Sequence, residues 1–180
     1  STGISAKHGW GVRRRLQFAR TLEERSVRAP EAVERWNEAI ASIRDRSPCP
    51  LYDGLVIGPQ LGLMPIGRDP GSGLWEFAHL QTGEPAERRA NGTLVLTESM
   101  GLVLVLIPGG SFWMGAQGGA PGRVNYDPAA VTDEAPIHEV RLAPFFLSKY
   151  EMTQAQWLRF TGKNPSYYHP PAHSGLLVDL

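Results

Sequence analysis

The stretch VLVLIPGGSFWMGA, residues 103–116, decides the fold because a dense apolar run meets a glycine-rich break within it. Its leucines and valines predict a buried β-strand. The Pro-Gly-Gly at 108–110 predicts a hairpin turn, after which SFWMGA is expected to return as the partner strand. A phosphate loop would need a helix beginning directly after the glycines, whereas large apolar residues follow them here. We therefore interpret these glycines as residues that supply backbone angles and bind no ligand.

Further along the chain, the pattern predicts another strand and a short helix. The alternation in IHEVRL, residues 137–142, is typical of a half-buried strand with His138 on its apolar side. Thr153 and Gln156 fit a capping box, in which each side chain bonds the backbone of the other residue. A helix is therefore expected over QAQWLRF, with Gly162 as its left-handed terminator.

Residues 11–46 predict two amphipathic helices that form a helical hairpin, with Pro30 in the first turn of the second helix. Each helix needs a partner to bury its apolar stripe. The stripes consist of Val12, Leu16, Ala19 and Leu22, and of Ala32, Val33, Trp36, Ala39, Ile40 and Ile43. The arginine run at 13–15 invites a nucleic-acid interpretation, but a solvated helix face balanced by Glu23 and Glu24 is favoured.

Residues 51–100 predict a β-meander. Four short apolar runs, LYDGLVI, LGLMPIG, LWEFAHL and GTLVLTE, are separated by turn sequences rich in glycine, proline and asparagine. The glycine-rich DPGSG lacks the Lys-Ser/Thr pair and the following helix of a phosphate loop. Together with the helices, these strands predict an α+β fold.

The composition excludes several classes of protein. Lys plus Arg and Asp plus Glu are both 18 among 180 residues, so no bulk charge draws nucleic acid or an anionic membrane. No apolar run approaches the roughly 20 residues that span a bilayer. The single cysteine, Cys49, excludes an intrachain disulfide and a multi-cysteine metal site. We expect a cytoplasmic protein that has neither nucleic acid nor membrane as a partner.

Several ordered motifs from residue 102 onward resemble the start of the formylglycine-generating enzyme, or sulfatase-modifying-factor, domain. They are Ile-Pro-Gly-Gly from 107, Met114-Gly115, Glu-Ala-Pro-Ile-His over 134–138, Phe145-Phe146, Tyr-Glu-Met-Thr-Gln-Ala-Gln-Trp over 150–157 and Asn-Pro-Ser over 164–166. Met for Val, Gln for Asn and Trp for Tyr are mild departures from the family pattern. Residues 11–100 more loosely resemble the segment that joins a bacterial serine/threonine kinase domain to such a domain.

The resemblance implies a C-type-lectin-like fold with much irregular structure. Family enzymes oxidise a sulfatase cysteine to formylglycine with a copper-binding cysteine pair near the C-terminal end of the domain, and calcium commonly supports the fold. This chain resembles the first third of the domain, so we expect no cofactor and no catalysis in this segment. The implied divisions are a helical extension (1–50), a β-meander linker subdomain (51–101) and a truncated N-terminal part of the family domain (102–180).

Polar residues in the matching region are assigned structural roles. Asp133, Glu134 and His138 can be drawn as a metal cluster, but a satisfied strand histidine and a loop carboxylate are favoured. His169 and His173 bracket two prolines, whose stiffness disfavours convergence on one metal. The motif residues to which we assign no catalytic, cofactor or metal role are Pro108, Gly109, Gly110, Met114, Gly115, Glu134, His138, Glu151, Thr153, Gln156 and Asn164.

Two main functions follow from the resemblance. The chain is either the structural N-terminal portion of a formylglycine-generating oxidase domain, whose catalysis would reside in a C-terminal part, or a lectin-like binding or sensory module without oxidase activity. A third alternative is a structural subunit that completes its fold against another chain, since unpaired strand edges pair readily. The expected partner is thus another protein chain or the remainder of its own domain.

Overall fold

The computed structural model describes residues 12–167, and this part of the chain has the α+β class that the sequence predicts. Its helices are α1 (Val12–Glu23), α2 (Pro30–Arg44) and α3 (Gln154–Thr161). Its strands are β1 (Leu63–Arg68), β2 (Trp75–His79), β3 (Glu87–Arg88), β4 (Leu94–Val95), β5 (Val103–Ile107), β6 (Gly110–Met114), β7 (His138–Leu142) and β8 (Phe145–Ser148). None of the helices in this range is both long and apolar enough to cross a membrane.

The two helices expected near the N-terminus are both present and are joined by a π-helical segment, Glu24–Arg28. Pro30 occupies the first turn of α2, where a missing N–H costs nothing. The inner stripe of α2 is buried and consists of Ala32, Trp36, Ala39 and Ile43. The stripe of α1 is more open, since Val12 is 80% exposed. The segment after α1 is held to the sheet region, because Ser26 Oγ accepts a hydrogen bond from Gly62 N at 3.1 Å.

Four strands form one antiparallel sheet in the order β1-β2-β5-β8. Phe77 of β2 lies opposite Leu104 of β5, and Val105 of β5 lies opposite Leu147 of β8. The apolar run at 103–107 is thus an inner strand, as its leucines and valines predict. The sheet joins strands on both sides of the boundary expected near residue 101, and the three-part division itself stays a prediction.

The main core lies between α2 and this sheet. The rings of Trp36 and Phe77 meet at a tilt, with centroids 5.4 Å apart. The buried hydroxyl of Tyr52 donates to Leu106 O at 2.9 Å and accepts from Trp75 N at 2.8 Å. Burial raises the pKa of Tyr52 to about 12. The phenol therefore stays protonated at neutral pH and bridges β2 and its neighbour β5.

The meander expected over 51–100 is confirmed in β1 and β2 and corrected elsewhere. LYDGLVI does not form a strand, because Pro50–Tyr52 is a 3-10 turn that buries its tyrosine and Asp53 follows with φ 48°. Proline has a fixed φ that suits such a helical start. In GTLVLTE, Leu94–Val95 forms the short strand β4, which pairs with β3 apart from the main sheet.

The hairpin expected at 108–110 is wrong. Both edges of β5 are taken by β2 and β8, so β6 pairs instead with β7 in a separate two-stranded sheet. Pro108 and Gly109 therefore carry the chain from one sheet to the other. Neither Gly109 nor Gly110 has a positive φ, so the interpretation that they supply special backbone angles is also wrong. A Cβ on Gly109 would lie 2.7 Å from Leu142 O, so its glycine permits a close approach of two backbones.

Candidate functional site

The region with the family-like motifs has an open apolar face on the sheet of β6 and β7. Phe112 lies opposite Val140, and Met114 lies opposite His138. Because alternate residues of a strand point to one side, these four residues share a face with Leu142. On that face, the exposed fractions are 47% for Phe112, 53% for Met114 and 41% for Leu142. The pattern of IHEVRL predicts this strand correctly, but its apolar side is less buried than expected, because Leu142 is exposed and Val140 is half-buried.

Gly115 ends β6 at a position that only glycine fits. Its φ is 97°, and a Cβ there would lie 2.6 Å from Glu134 O and 2.9 Å from Pro136 O. Asn125 binds the same point from the long loop, since its Nδ2 donates to Trp113 O and to Gly115 O, both at 2.8 Å. Glycine in the Met-Gly motif thus allows the strand end and the loop to pack closely.

Glu134 and His138 each have a contact close by in sequence. Glu134 belongs to a 3-10 turn, and its Oε2 accepts from Val131 N at 3.2 Å. His138 is exposed, and its Nδ1 lies 2.9 Å from Pro136 O. Within residues 12–167, no group of three or more His, Cys, Asp or Glu side chains is arranged to hold a metal ion. The structural roles assigned to Glu134 and His138 stay predictions.

Helix α3 begins and ends as its sequence predicts. Thr153 Oγ1 accepts from Gln156 N at 3.2 Å, and Gln156 Oε1 accepts from Thr153 N at 3.0 Å. Gly162 follows the helix with φ 77°, in the left-handed region. Gln156 is buried, and its Nε2 also donates to Met100 O at 3.1 Å. Gln156 therefore both caps α3 and connects it by a hydrogen bond to the segment before β5.

The remaining motif residues lie around α3. Glu151 is exposed just before the helix. Asn164 Nδ2 donates to Gln154 Oε1 at 2.9 Å, and Asn164 Oδ1 accepts from Ser166 N at 3.1 Å. The Asn-Pro-Ser turn thus closes back on the start of the helix. Outside the described residues lie the two histidines considered as metal ligands, His169 and His173.

Arg159 of α3 binds backbone carbonyls of the loop after β2 and of the loop that precedes β5. Its Nη1 donates to Thr82 O at 2.9 Å, and its Nη2 donates to Glu98 O. Burial lowers the pKa of Arg159, and the carboxylates of Glu84 and Glu98 partly offset that effect. An arginine remains charged at neutral pH. Arg159 and Gln156 together fix α3 against this loop.

An ion-pair cluster, made of Lys149, Asp69, Glu76 and Arg88, joins the end of β8 to the β1–β2 hairpin. Lys149 Nζ lies 2.8 Å from Asp69 Oδ1 and 2.5 Å from Glu76 Oε1. Glu76 is fully buried in β2, and its Oε2 accepts from Arg88 Nη2. A buried carboxylate is tolerated when it is paired and hydrogen-bonded. The family-like segment and the preceding hairpin thus share one charge contact.

The cluster shifts the pKa of two of its members in opposite directions. The hydrogen bond from Lys149, aided by bonds from Ser72, holds the pKa of Asp69 well below its usual range. Burial alone would lower the pKa of Lys149, but Asp69 and Glu76 outweigh burial and raise it. Asp69 and Lys149 are therefore both charged around neutral pH. The contact is suited to holding the fold and unsuited to proton transfer.

Sequence reasoning misses Lys149, Glu76 and Asn125. Glu76 carried a signal, because one acidic residue inside the apolar run LWEFAHL implies a buried charge that needs a partner. Asn125 carried a weaker one, since asparagine tolerates the left-handed region and has φ 52° here. Lys149 had no local signal, because both of its carboxylate partners lie far away in sequence.

Copper chemistry does not fit these residues. Cu(I) prefers thiolate ligands, and the chain has one cysteine. Cys49 is buried in the core beside α2, with its Sγ 3.4 Å from Ser42 Oγ. This chain therefore cannot supply the thiolate pair that the resemblance implies for the active family enzymes.

The family model of the sulfatase-modifying factor enzyme 1-like domain matches residues 96–173. No curated protein and no solved structure matches the chain. The matched range includes the four strands β5 to β8 and helix α3. It also includes the Met-Gly, capping-box and Asn-Pro-Ser motifs described above. Residues 96–173, less than half of the chain, are therefore similar to the sulfatase-modifying factor enzyme 1-like domain family.

Proposed function

We propose that the matched segment is the structural N-terminal part of a formylglycine-generating-type domain and that it supplies no reacting group. The observation that supports this role is the open apolar face of the β6–β7 sheet, with Phe112, Met114 and Leu142 about half exposed. A two-stranded sheet is marginally stable in water by itself. The face is therefore suited to being covered by further polypeptide of the same domain.

Covering this face would contribute a useful free energy. Full burial of one large apolar side chain contributes about 1.5–3 kcal/mol. Because the three side chains are already about half buried, covering them would contribute on the order of 2–4 kcal/mol in total. The outer edge of β8, which pairs with no strand of the described residues beyond β5, adds backbone groups that an incoming strand can bond.

The proposed role assigns any oxidation chemistry to residues outside this chain. Converting a sulfatase cysteine with copper would require thiolates, and Cys49 is the single cysteine among the 180 residues. Its thiol lies in the core formed by α2 and the sheet, upstream of the matched range. Copper and calcium, the cofactors that the family resemblance implies, would act elsewhere in a complete domain.

Hydrogen exchange of backbone amides tests the structural role. The 180-residue chain is compared with the full product of its gene, and the amides of β6 and β7 are expected to exchange much more slowly in the full product. The amides of β2 and β5 serve as the internal control, because those strands are already enclosed. Equal exchange of β6 and β7 in both proteins, or a full product with no further polypeptide, would overturn the proposal.

A lectin-like binding or sensory module is the second candidate. It is favoured by the sharing of one sheet between the matched segment and the preceding extension, an arrangement that a stand-alone oxidase does not need. Copper uptake by the full gene product separates the two, because an oxidase would bind copper through paired thiolates and a binding module would not. The kinase connection and the cytoplasmic location remain predictions from the sequence.

A further inference from the structure

Helix α1 has an apolar stripe that the rest of the described chain leaves largely open. Val12 is 80% exposed and Leu16 is 49% exposed. The helix borders an open groove of about 440 Å³ whose lining includes Val12, Arg15, Leu16, Ala19, Leu22 and Gln81. The groove is thus mostly apolar, with Arg15 as its charged member.

The same helix is strongly basic. Its sequence contains Arg13, Arg14, Arg15 and Arg20 against one acidic residue, Glu23. Glu23 is already paired with Arg28, at 2.7 Å. None of the ion pairs among the described residues includes Arg13, Arg15 or Arg20. An incoming group of negative charge would therefore meet uncompensated arginines beside an apolar stripe.

The next helix, α2, borders a groove of the opposite charge. This second groove, of about 330 Å³, is lined by residues that include Glu31, Glu34, Arg35, Glu38, Ile66 and Trp75. Glu31 pairs with Arg35 at 2.8 Å, whereas Glu34 and Glu38 belong to none of the ion pairs of the described residues. Val33 of the same helix is 42% exposed. Consecutive helices thus border one mostly apolar groove whose charged member is Arg15 and one groove in which acidic residues outnumber basic ones.

We propose that two copies of this chain pair about a two-fold axis, with α1 of each copy against α2 of the other, in a four-helix arrangement. Arg15 of α1 then faces Glu34 and Glu38 of the second copy, while Val12 and Leu16 become covered. Helix α1 is about 18 Å long. One contact along so short a helix buries less than the roughly 800 Å² that each partner buries in a stable complex. Two-fold symmetry makes the contact twice and so doubles the buried area.

Because α1 carries positive and α2 carries negative charge, a second copy of the chain fits these two helices better than other binding partners do. A nucleic acid or an anionic membrane would be attracted by α1 but repelled by the carboxylates of α2, and the whole chain has a formal net charge of zero. A bilayer would also need an apolar face that can enter it, whereas Gln81 borders this stripe and makes it one wall of a groove. A second copy offers acidic groups to α1 and basic groups to α2 at once.

Sedimentation velocity of the 180-residue chain over a wide concentration range tests the pairing. A dimer is expected whose dissociation constant rises with salt. Arg15→Glu or Glu34→Arg alone should raise the dissociation constant at least about tenfold, because like charges then face each other. Both changes in one chain should restore pairing, since the reversed charges meet again. Arg89→Glu, an exposed arginine outside both grooves, is the matched control and should leave the constant unchanged.

Leu16→Gln supplies a second variant that tests the apolar part of the contact. It should weaken the dimer without changing the far-UV circular dichroism, because Leu16 is half exposed in the single chain. A chain that stays monomeric at every concentration would overturn the proposal. So would binding of single-stranded DNA or anionic vesicles by a monomeric chain that Arg15→Glu abolishes. A dimer indifferent to Arg15→Glu would assign association to another surface and overturn this inference, while leaving the proposed structural role of β6 and β7 intact.

Discussion

Lys149 Nζ lies 2.8 Å from Asp69 Oδ1 although 80 residues separate them along the chain. Glu76, fully buried, is the second carboxylate on the same ammonium group. The contact connects the end of β8, inside the matched family segment, to the hairpin of β1 and β2. It is therefore one of the contacts that join the extension to the family segment, alongside the pairing of β2 with β5.

Lys149→Met is expected to lower the free energy of unfolding by about 1–3 kcal/mol, because Asp69 and the buried Glu76 lose a charged hydrogen-bond partner while Arg88 still pairs with Glu76. Urea unfolding followed by tryptophan fluorescence measures the change. Lys163→Met is the matched control, since Lys163 is exposed and is expected to have an effect below about 0.5 kcal/mol. Equal effects of the two substitutions would contradict the role given to the cluster.

Asp69→Asn is expected to make the free energy of unfolding fall less steeply as the pH is lowered into the acidic range. The folded state holds the pKa of Asp69 below its usual value, so the unfolded chain binds the proton more readily. The contribution of Asp69 is then complete above about pH 4 and is lost as the pH falls below that value. Unfolding free energies measured from neutral to acidic pH should show the variant less stable at neutral pH and less sensitive to acid. Asp53→Asn, at an exposed ion pair with Arg46, is the matched control and should change the free energy of unfolding at neutral pH by no more than about 1 kcal/mol.

Gly109→Ala is expected to destabilise the protein by about 1–3 kcal/mol, whereas Gly110→Ala should cost less than about 0.5 kcal/mol. Neither glycine has a positive φ, so the comparison isolates space from backbone angle. A Cβ at Gly109 would meet Leu142 O at 2.7 Å and Pro144 Cδ at 2.9 Å, while a Cβ at Gly110 would meet no atom within 4 Å. Thermal unfolding of both variants measures the two effects. A larger destabilisation by Gly110→Ala than by Gly109→Ala would contradict the close backbone approach at Gly109.

Gln156→Ala is expected to destabilise the protein more than Thr153→Ala. Thr153→Ala removes a helix cap and should cost about 1 kcal/mol. Gln156→Ala also removes the donor to Met100 O inside the protein, which should add about 1–2 kcal/mol. Chemical unfolding of the two variants measures the difference. Equal costs would show that the bond to Met100 contributes nothing beyond the cap.

Local patterns predict most of the elements. The stripes of α1 and α2, the capping box at Thr153 and the left-handed Gly162 are all contained within a few residues, so the sequence alone identifies them. The density of leucine and valine identifies β5 as an inner strand for a similar reason. The ordered motifs from residue 102 onward indicate the family whose model matches residues 96–173, because their order is specific even where each motif is short.

Pairing between distant segments is what the sequence does not predict. A Pro-Gly-Gly between two apolar runs favours a hairpin locally, but β5 already has a neighbour on each edge, so β6 pairs with β7. The run LYDGLVI looks like a strand until Tyr52 is seen to bond Leu106 and Trp75 in the core. The partners of Lys149 cannot be predicted for the same reason. They are determined by contacts between distant segments, and no local sequence pattern indicates which contacts form.

The position of β5 between β2 and β8 limits how this gene segment can be moved by recombination. A breakpoint at the start of the family match, residue 96, would deliver β5 to a new host with one edge bare and without Phe77 or Tyr52 against it. A breakpoint upstream of Pro50 would transfer Tyr52, the β1–β2 hairpin and the two carboxylate partners of Lys149 together with the family segment. The family segment therefore keeps the strand and the buried side chains beside β5 only when the preceding residues are transferred with it.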